Sequence, residues 1–115
     1  MGDHIVIYIT VPSEEVATAI AQALVGEGLV ACVNRLPGVR STYRWQGQLC
    51  VDEELMLIAK TRRTLFDRVR ARTRELHPYA LPEIIALPIS AGSPEYLGWI
   101  DEATAAATPT TAGGK

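Results

Sequence analysis

The sequence predicts an α+β domain of the ferredoxin-like kind, in which a β-α-β-β-α-β order builds an antiparallel sheet with both long helices on one face, plus a short C-terminal helix. Two observations predict it. Stretches of strand character and of helical spacing follow one another in that order, and a turn candidate at Gln46-Gly47-Gln48 folds the two middle strands into a long hairpin. A third observation, strands that are apolar on both faces, adds that the domain needs a partner.

Ile5 to Val11 is β-branched and aromatic and stops at Pro12, so it reads as the first strand. Ser13 caps the helix that follows. Glu14 and Glu15 lie in its first turn, where the macrodipole favours acids, and Val16, Ala19, Ile20, Ala23 and Leu24 recur at helical spacing until Gly26 and Gly28 end it. A second extended stretch runs from Leu29 to Val33, bends at Pro37-Gly38 and resumes through Val39 to Trp45. Leu49 to Thr61, with Leu55-Met56-Leu57-Ile58-Ala59 at its centre, pairs back on it. Thr61 to Leu76 reads as the second helix, with Leu65, Phe66, Val69, Thr73 and Leu76 on one side and arginines on the others, and His77-Pro78 breaks it. Pro82 to Ser90 supplies the fourth strand around Ile84-Ile85-Ala86-Leu87, and Pro94 to Ala107 a final helix. One domain over residues 1–107 is expected, with residues 108–115, mostly Thr, Gly and Ala, as a flexible tail.

An antiparallel sheet with helices on one face ordinarily turns polar residues to water on the other. Here Ile5, Ile7 and Ile9 oppose Val6 and Tyr8; Leu55, Leu57 and Ala59 oppose Met56 and Ile58; Ile84 and Ala86 oppose Ile85 and Leu87. Both faces are apolar. Packing against further copies of the chain covers the second face, the alternative being that the short last helix covers it alone.

Composition narrows the function classes. The 115 residues are 48% hydrophobic and 21% charged, which suits a globular fold, and the formal net charge of −2 supplies no global attraction for nucleic acid or an anionic membrane. No nucleic-acid or membrane partner is expected. No basic n-region or long apolar run opens the chain, which makes the cytoplasm the expected compartment, with Cys32 and Cys50 reduced and in no CxxC pattern. There is no P-loop, GxGxxG or HExxH motif.

Several residues could carry chemistry. His77, Tyr79 and Glu83 crowd a turn between Pro78 and Pro82, where a histidine suits proton transfer or metal binding, or shapes the turn by hydrogen-bonding nearby backbone. Cys32 sits among small apolar residues and reads as a buried hydrophobe, with a Cys-His pairing to His77 as the functional alternative. Cys50 stands beside Asp52-Glu53-Glu54, a setting that disfavours the thiolate. The arginines of the second helix read as a solvated face or an anion-binding one. Tyr43, Trp45, Lys60 and Glu83 would meet in an amphipathic cleft if the hairpin of one copy leaned on its neighbour, Trp45 otherwise serving as an interface anchor.

The ordered pieces Ala31-Cys32-Val33-Asn34, Pro37-Gly38, Ser41-x-Tyr43-x-Trp45-x-Gly47, Glu54, Lys60-Thr61, His77-Pro78-Tyr79, Pro82-Glu83-Ile84 and Tyr96-x-x-Trp99-Ile100 resemble the CutA family of divalent-cation tolerance proteins across roughly residues 4 to 104. The resemblance implies a ferredoxin-like protomer in a PII-like homotrimer, linked to tolerance of copper and other divalent metals, with no firmly attached enzymatic activity. It implies a weak site for Cu²⁺ or another divalent cation rather than a required cofactor. Of the copper ligands proposed in some members, a first-strand cysteine and a pair of histidines, this chain has Ile9 and Leu76-His77, so His77 is the surviving candidate, with Cys32 behind it. Position 80, often Glu or Gln in that family, is Ala80. The expected function is a binding or signalling module in divalent-metal response. The alternatives are a small-ligand enzyme using His77 and Glu83 at the subunit seam, or a structural trimer that scaffolds another protein.

Overall fold

The computed structural model describes residues 3–107; the expected tail at 108–115 lies outside the described residues. The elements follow the predicted order: β1 (His4–Val11), α1 (Glu14–Gly26), β2 (Cys32–Trp45), β3 (Gln48–Arg62), a 3-10 turn (Arg63–Leu65), α2 (Phe66–Leu76), β4 (Ile84–Pro88) and α3 (Pro94–Ala103). The four strands form one sheet in the order β2-β3-β1-β4, with every neighbouring pair antiparallel. This is the ferredoxin-like arrangement that the sequence predicts.

Local chemistry sets the boundaries. Ser13 caps α1 with its hydroxyl accepting from the Val16 N–H, and Gly28 takes the left-handed conformation (φ +73°) that lets the chain leave the helix. The Pro37-Gly38 step is a bulge, where three steps of β2 from Leu36 to Val39 oppose two of β3 from Met56 to Glu54. Gln46 and Gly47 both have positive φ, 51° and 78°, as a two-residue hairpin turn of the primed type requires. The second helix differs from expectation. Thr61 and Arg62 remain in β3, because Thr61 pairs with Ile5, is fully buried and donates its hydroxyl to the Leu29 carbonyl, while Arg62 pairs with His4. The first α-helical residue is therefore Phe66. At the other end α3 stops at Ala103 instead of Ala107, with Thr104 turning its hydroxyl back onto the Ile100 carbonyl. Leu29 to Ala31 lie outside β2.

One face of the sheet makes the core. Ile5, Ile7, Ile9 and Val11 of β1, with Leu55, Leu57 and Ala59 of β3, bury completely or nearly so together with Ala17, Ile20 and Leu24 of α1 and Val69 of α2. The other face runs in cross-strand rows, Cys32–Lys60–Val6–Leu87, Asn34–Ile58–Tyr8–Ile85 and Leu36–Met56–Thr10. The last helix crosses only one end of it. There Ile100 is buried, Asp101 meets the His4 ring at 2.8 Å, and Arg62 reaches the Thr104 hydroxyl and carbonyl. Leu36, Ile85 and Leu87 stay 43–49% exposed, so α3 does not close the face.

Candidate functional site

β1 pairs with β3 only from Leu55 onward, whereas the β2–β3 hairpin continues through Val39–Trp45 and Gln48–Glu54 as a two-stranded arm. At about 3.4 Å per residue the arm reaches roughly 20 Å past the four-stranded sheet. Alternation on β3 puts Asp52 and Glu54 on the same face as Met56 and Ile58, the face away from α1 and α2. Tyr43 and Trp45 lie on that face across the hairpin.

At the base of the arm these side chains meet the turn that follows α2. Glu54 is 7% exposed and accepts a 2.9 Å hydrogen bond on Oε2 from the Tyr79 hydroxyl, while the Tyr43 hydroxyl donates to Asp52. Burial, and then the bond to Glu54, push the Tyr79 phenol up to about 12. The bond to Asp52 raises Tyr43 to a similar value. Both phenols thus remain donors at any physiological pH, and both carboxylates receive them as acceptors.

His77 holds this turn in place. Its backbone is extended (ψ 133°), as the following Pro78 demands, and its N–H closes the last turn of α2 on the Thr73 carbonyl. The Tyr79 N–H donates to Nδ1 at 3.2 Å, so Nδ1 carries the lone pair and Nε2 carries the hydrogen that it gives to the Thr10 carbonyl at 2.7 Å. The ring also packs on Tyr79, with centroids 4.8 Å apart. Both ring nitrogens are committed to backbone, and a metal at Nδ1 would have to displace the Tyr79 N–H.

The sequence-derived candidates therefore separate into groups. Tyr43 and Tyr79 gather around Asp52 and Glu54, and His77 packs on Tyr79. Lys60 stands six residues along β3 from Glu54, where it donates to the Asn34 side-chain carbonyl. Cys32 is its cross-strand neighbour and lies 3.6 Å from the Tyr96 hydroxyl, which places it at the opposite end of the sheet from His77 and leaves no Cys-His pair. Trp45 is at the tip of the arm, 42% exposed, and Glu83 is exposed just ahead of β4. A cleft of about 320 Å³ opens beside Glu54, lined by Pro12, Glu14, Pro37, Arg40 and Glu53 among others. Glu14 pairs there with Arg35 and Glu53 with Arg40. Among the described residues, no three His, Cys, Asp or Glu side chains come together as a metal cluster. Neither Asp52 nor Glu54 is among the site residues that the sequence suggests. The signal was present, since folding the hairpin at Gln46-Gly47 puts Cys50, Asp52 and Glu54 on the face of Tyr43 and Trp45.

An antiparallel four-stranded ferredoxin-like sheet with a projecting hairpin defines the structural class. Within that class the chain belongs to the CutA1 divalent ion tolerance protein family, whose model matches residues 5–103. It is 56% identical over 99 residues to a divalent-cation tolerance protein CutA of Thermus thermophilus, covering 86% of this chain and 96% of that one. It is 44% identical over 100 residues to a chloroplastic CutA protein of Arabidopsis thaliana, covering 87% of this chain and 55% of that protein, so it spans about half the length of the plant relative. Among solved structures it superposes on the divalent cation tolerance protein of Thermus thermophilus with a TM-score of 0.86 at 54% identity, over 88% of this chain and 98% of that one. A protein called periplasmic divalent cation tolerance protein CutA, from Archaeoglobus fulgidus, aligns with a TM-score of 0.85 at 42% identity, covering 88% and 98%. No helix among the described residues is long and apolar enough to cross a membrane.

Proposed function

We propose that three copies of this chain close the second face of the sheet against one another, and that the assembly is a binding or signalling module in tolerance of divalent metal ions, copper among them. The carrying observation is the open apolar face. Val6, Tyr8, Met56 and Ile58 stay partly exposed, Ile85 and Leu87 are exposed, and the surface continues onto the arm through Tyr43 and Trp45, with Leu49 and Val51 exposed on the arm's other side. An isolated two-stranded ribbon is marginal in water, so an arm of this length calls for a neighbour to lie on. The relatives' names, divalent-cation tolerance proteins, supply the metal-response reading. Two unpaired cysteines suit a reducing compartment, which favours the cytoplasm as the place of action.

Any cation held by this module is bound weakly and by side chains from more than one copy, because copper affinity takes several N or S donors in a fixed geometry. Titration calorimetry of the assembled protein with Cu²⁺, Zn²⁺ and Mg²⁺ tests the binding role. Saturable heat with Cu²⁺ at a fixed ratio to the assembly is expected; absence of heat with all three ions would remove direct metal binding from the reading.

A further inference from the structure

The second face of the sheet carries its opposite charges far apart. At the base of the arm stand Asp52 and Glu54, whose hydrogen bonds come from two neutral phenols, Tyr43 and Tyr79. No arginine of the arm serves them from the same side. Strand alternation puts Arg40 and Arg44 on the opposite face, and Arg40 is paired with Glu53. Toward the other end of β3 lies Lys60, half-buried between Cys32 and Val6, with the neutral Asn34 amide as its hydrogen-bond partner among the described residues. The neighbouring Arg62 is already engaged by the Thr104 and Ala107 carbonyls under α3.

Six residues of extended strand separate Lys60 from Glu54, about 20 Å, so these charges do not pair within one chain. Closing the face takes them further out of water, where a lone charge is strongly disfavoured and a paired one is tolerated. A ring built from head-to-tail contacts sets one end of each copy against the other end of the next. We propose that Lys60 of one copy inserts between Asp52 and Glu54 of the next, supplying a cation that the described residues of its own chain do not bring to the phenol–carboxylate cluster. The three donors of an ammonium match this arrangement, since each carboxylate spends one oxygen on a phenol and keeps the other for Lys60. The inference rests on the self-association proposed above and adds to it a site that each copy completes for its neighbour.

Charge reversal tests it. Dissociation on dilution is measured for the wild type, Lys60→Glu, Asp52→Lys and the double variant. Each single reversal is expected to weaken assembly at least ~10-fold, with the double regaining most of that loss, as a direct contact requires. Losses that simply multiply in the double variant, or a Lys60→Glu protein that assembles like the wild type, would overturn the pairing while leaving self-association intact; a wild type that is monomeric throughout would overturn the underlying reading instead. If a reversal prevents folding by circular dichroism, Lys60→Met and Asp52→Asn make the same cycle. Their effects are then expected to be non-additive, and additivity would count against the pair.

Discussion

Tyr79 gives its hydroxyl hydrogen to Glu54 Oε2 at 2.9 Å, joining the turn after α2 to the base of the arm. Because the phenol is raised from 10 to about 12 in the folded chain, the unfolded chain loses that proton first as pH rises. The bond therefore contributes its full stability below about pH 10 and loses it progressively toward pH 12. Ultraviolet titration of tyrosinate is expected to show a transition near pH 12 that Tyr79→Phe diminishes, with a shallower fall in stability over the same window. An unchanged titration would contradict the pairing. Tyr43, exposed but bonded to Asp52, is expected to add a second late transition that Tyr43→Phe removes.

His77→Ala is expected to act on folding more than on metal binding. It strips a hydrogen-bond partner from the Thr10 carbonyl and from the Tyr79 N–H, at about 1–3 kcal/mol for each group left buried and unpaired. Urea unfolding should record that loss, and the heat of Cu²⁺ titration should match the wild type's. A lost Cu²⁺ heat with stability unchanged would instead make the imidazole a ligand.

The hairpin turn offers a local check. Gly47 sits at φ +78°, a conformation that costs an L-residue about 1–2 kcal/mol, so Gly47→Ala is expected to destabilise by that amount. Gln46→Asn should raise stability, since Asn tolerates the φ of 51° at that position better than Gln does. Paired urea midpoints for the two variants moving in the same direction would contradict the assigned turn.

Ile58 lies on the second face between Asn34 and Tyr8, outside the core beneath α1 and α2. Ile58→Asp should therefore leave a folded single chain while abolishing assembly. The wild type's thermal midpoint is expected to rise with protein concentration, as it does for any associating protein, and the variant's to stay constant. A concentration-dependent midpoint in Ile58→Asp would place the contact elsewhere.

The element order was legible because it rests on short-range chemistry: Ser13 ahead of an amphipathic run, Pro37-Gly38 inside a strand, Pro78 after His77. The start of α2 was not. Thr61 and Arg62 fit either a helix or a strand by themselves, and what decides is the pairing of Thr61 with Ile5 and of Arg62 with His4, far away in sequence. The site divides in the same way. Crowding at the His77 turn was visible, but the Tyr79–Glu54 contact depends on where α2 delivers its last residue relative to β3, and no local pattern encodes that. The dispersal of Lys60, Cys32 and Trp45 away from His77 follows from the length of β2 and β3, which the turn and the bulge implied without fixing what stands beside the arm.

Closure of the second face by self-association is read out by light scattering coupled to size exclusion. At micromolar concentration a mass three times that of the 12.5 kDa chain is the predicted result. A single species at 12.5 kDa would contradict it.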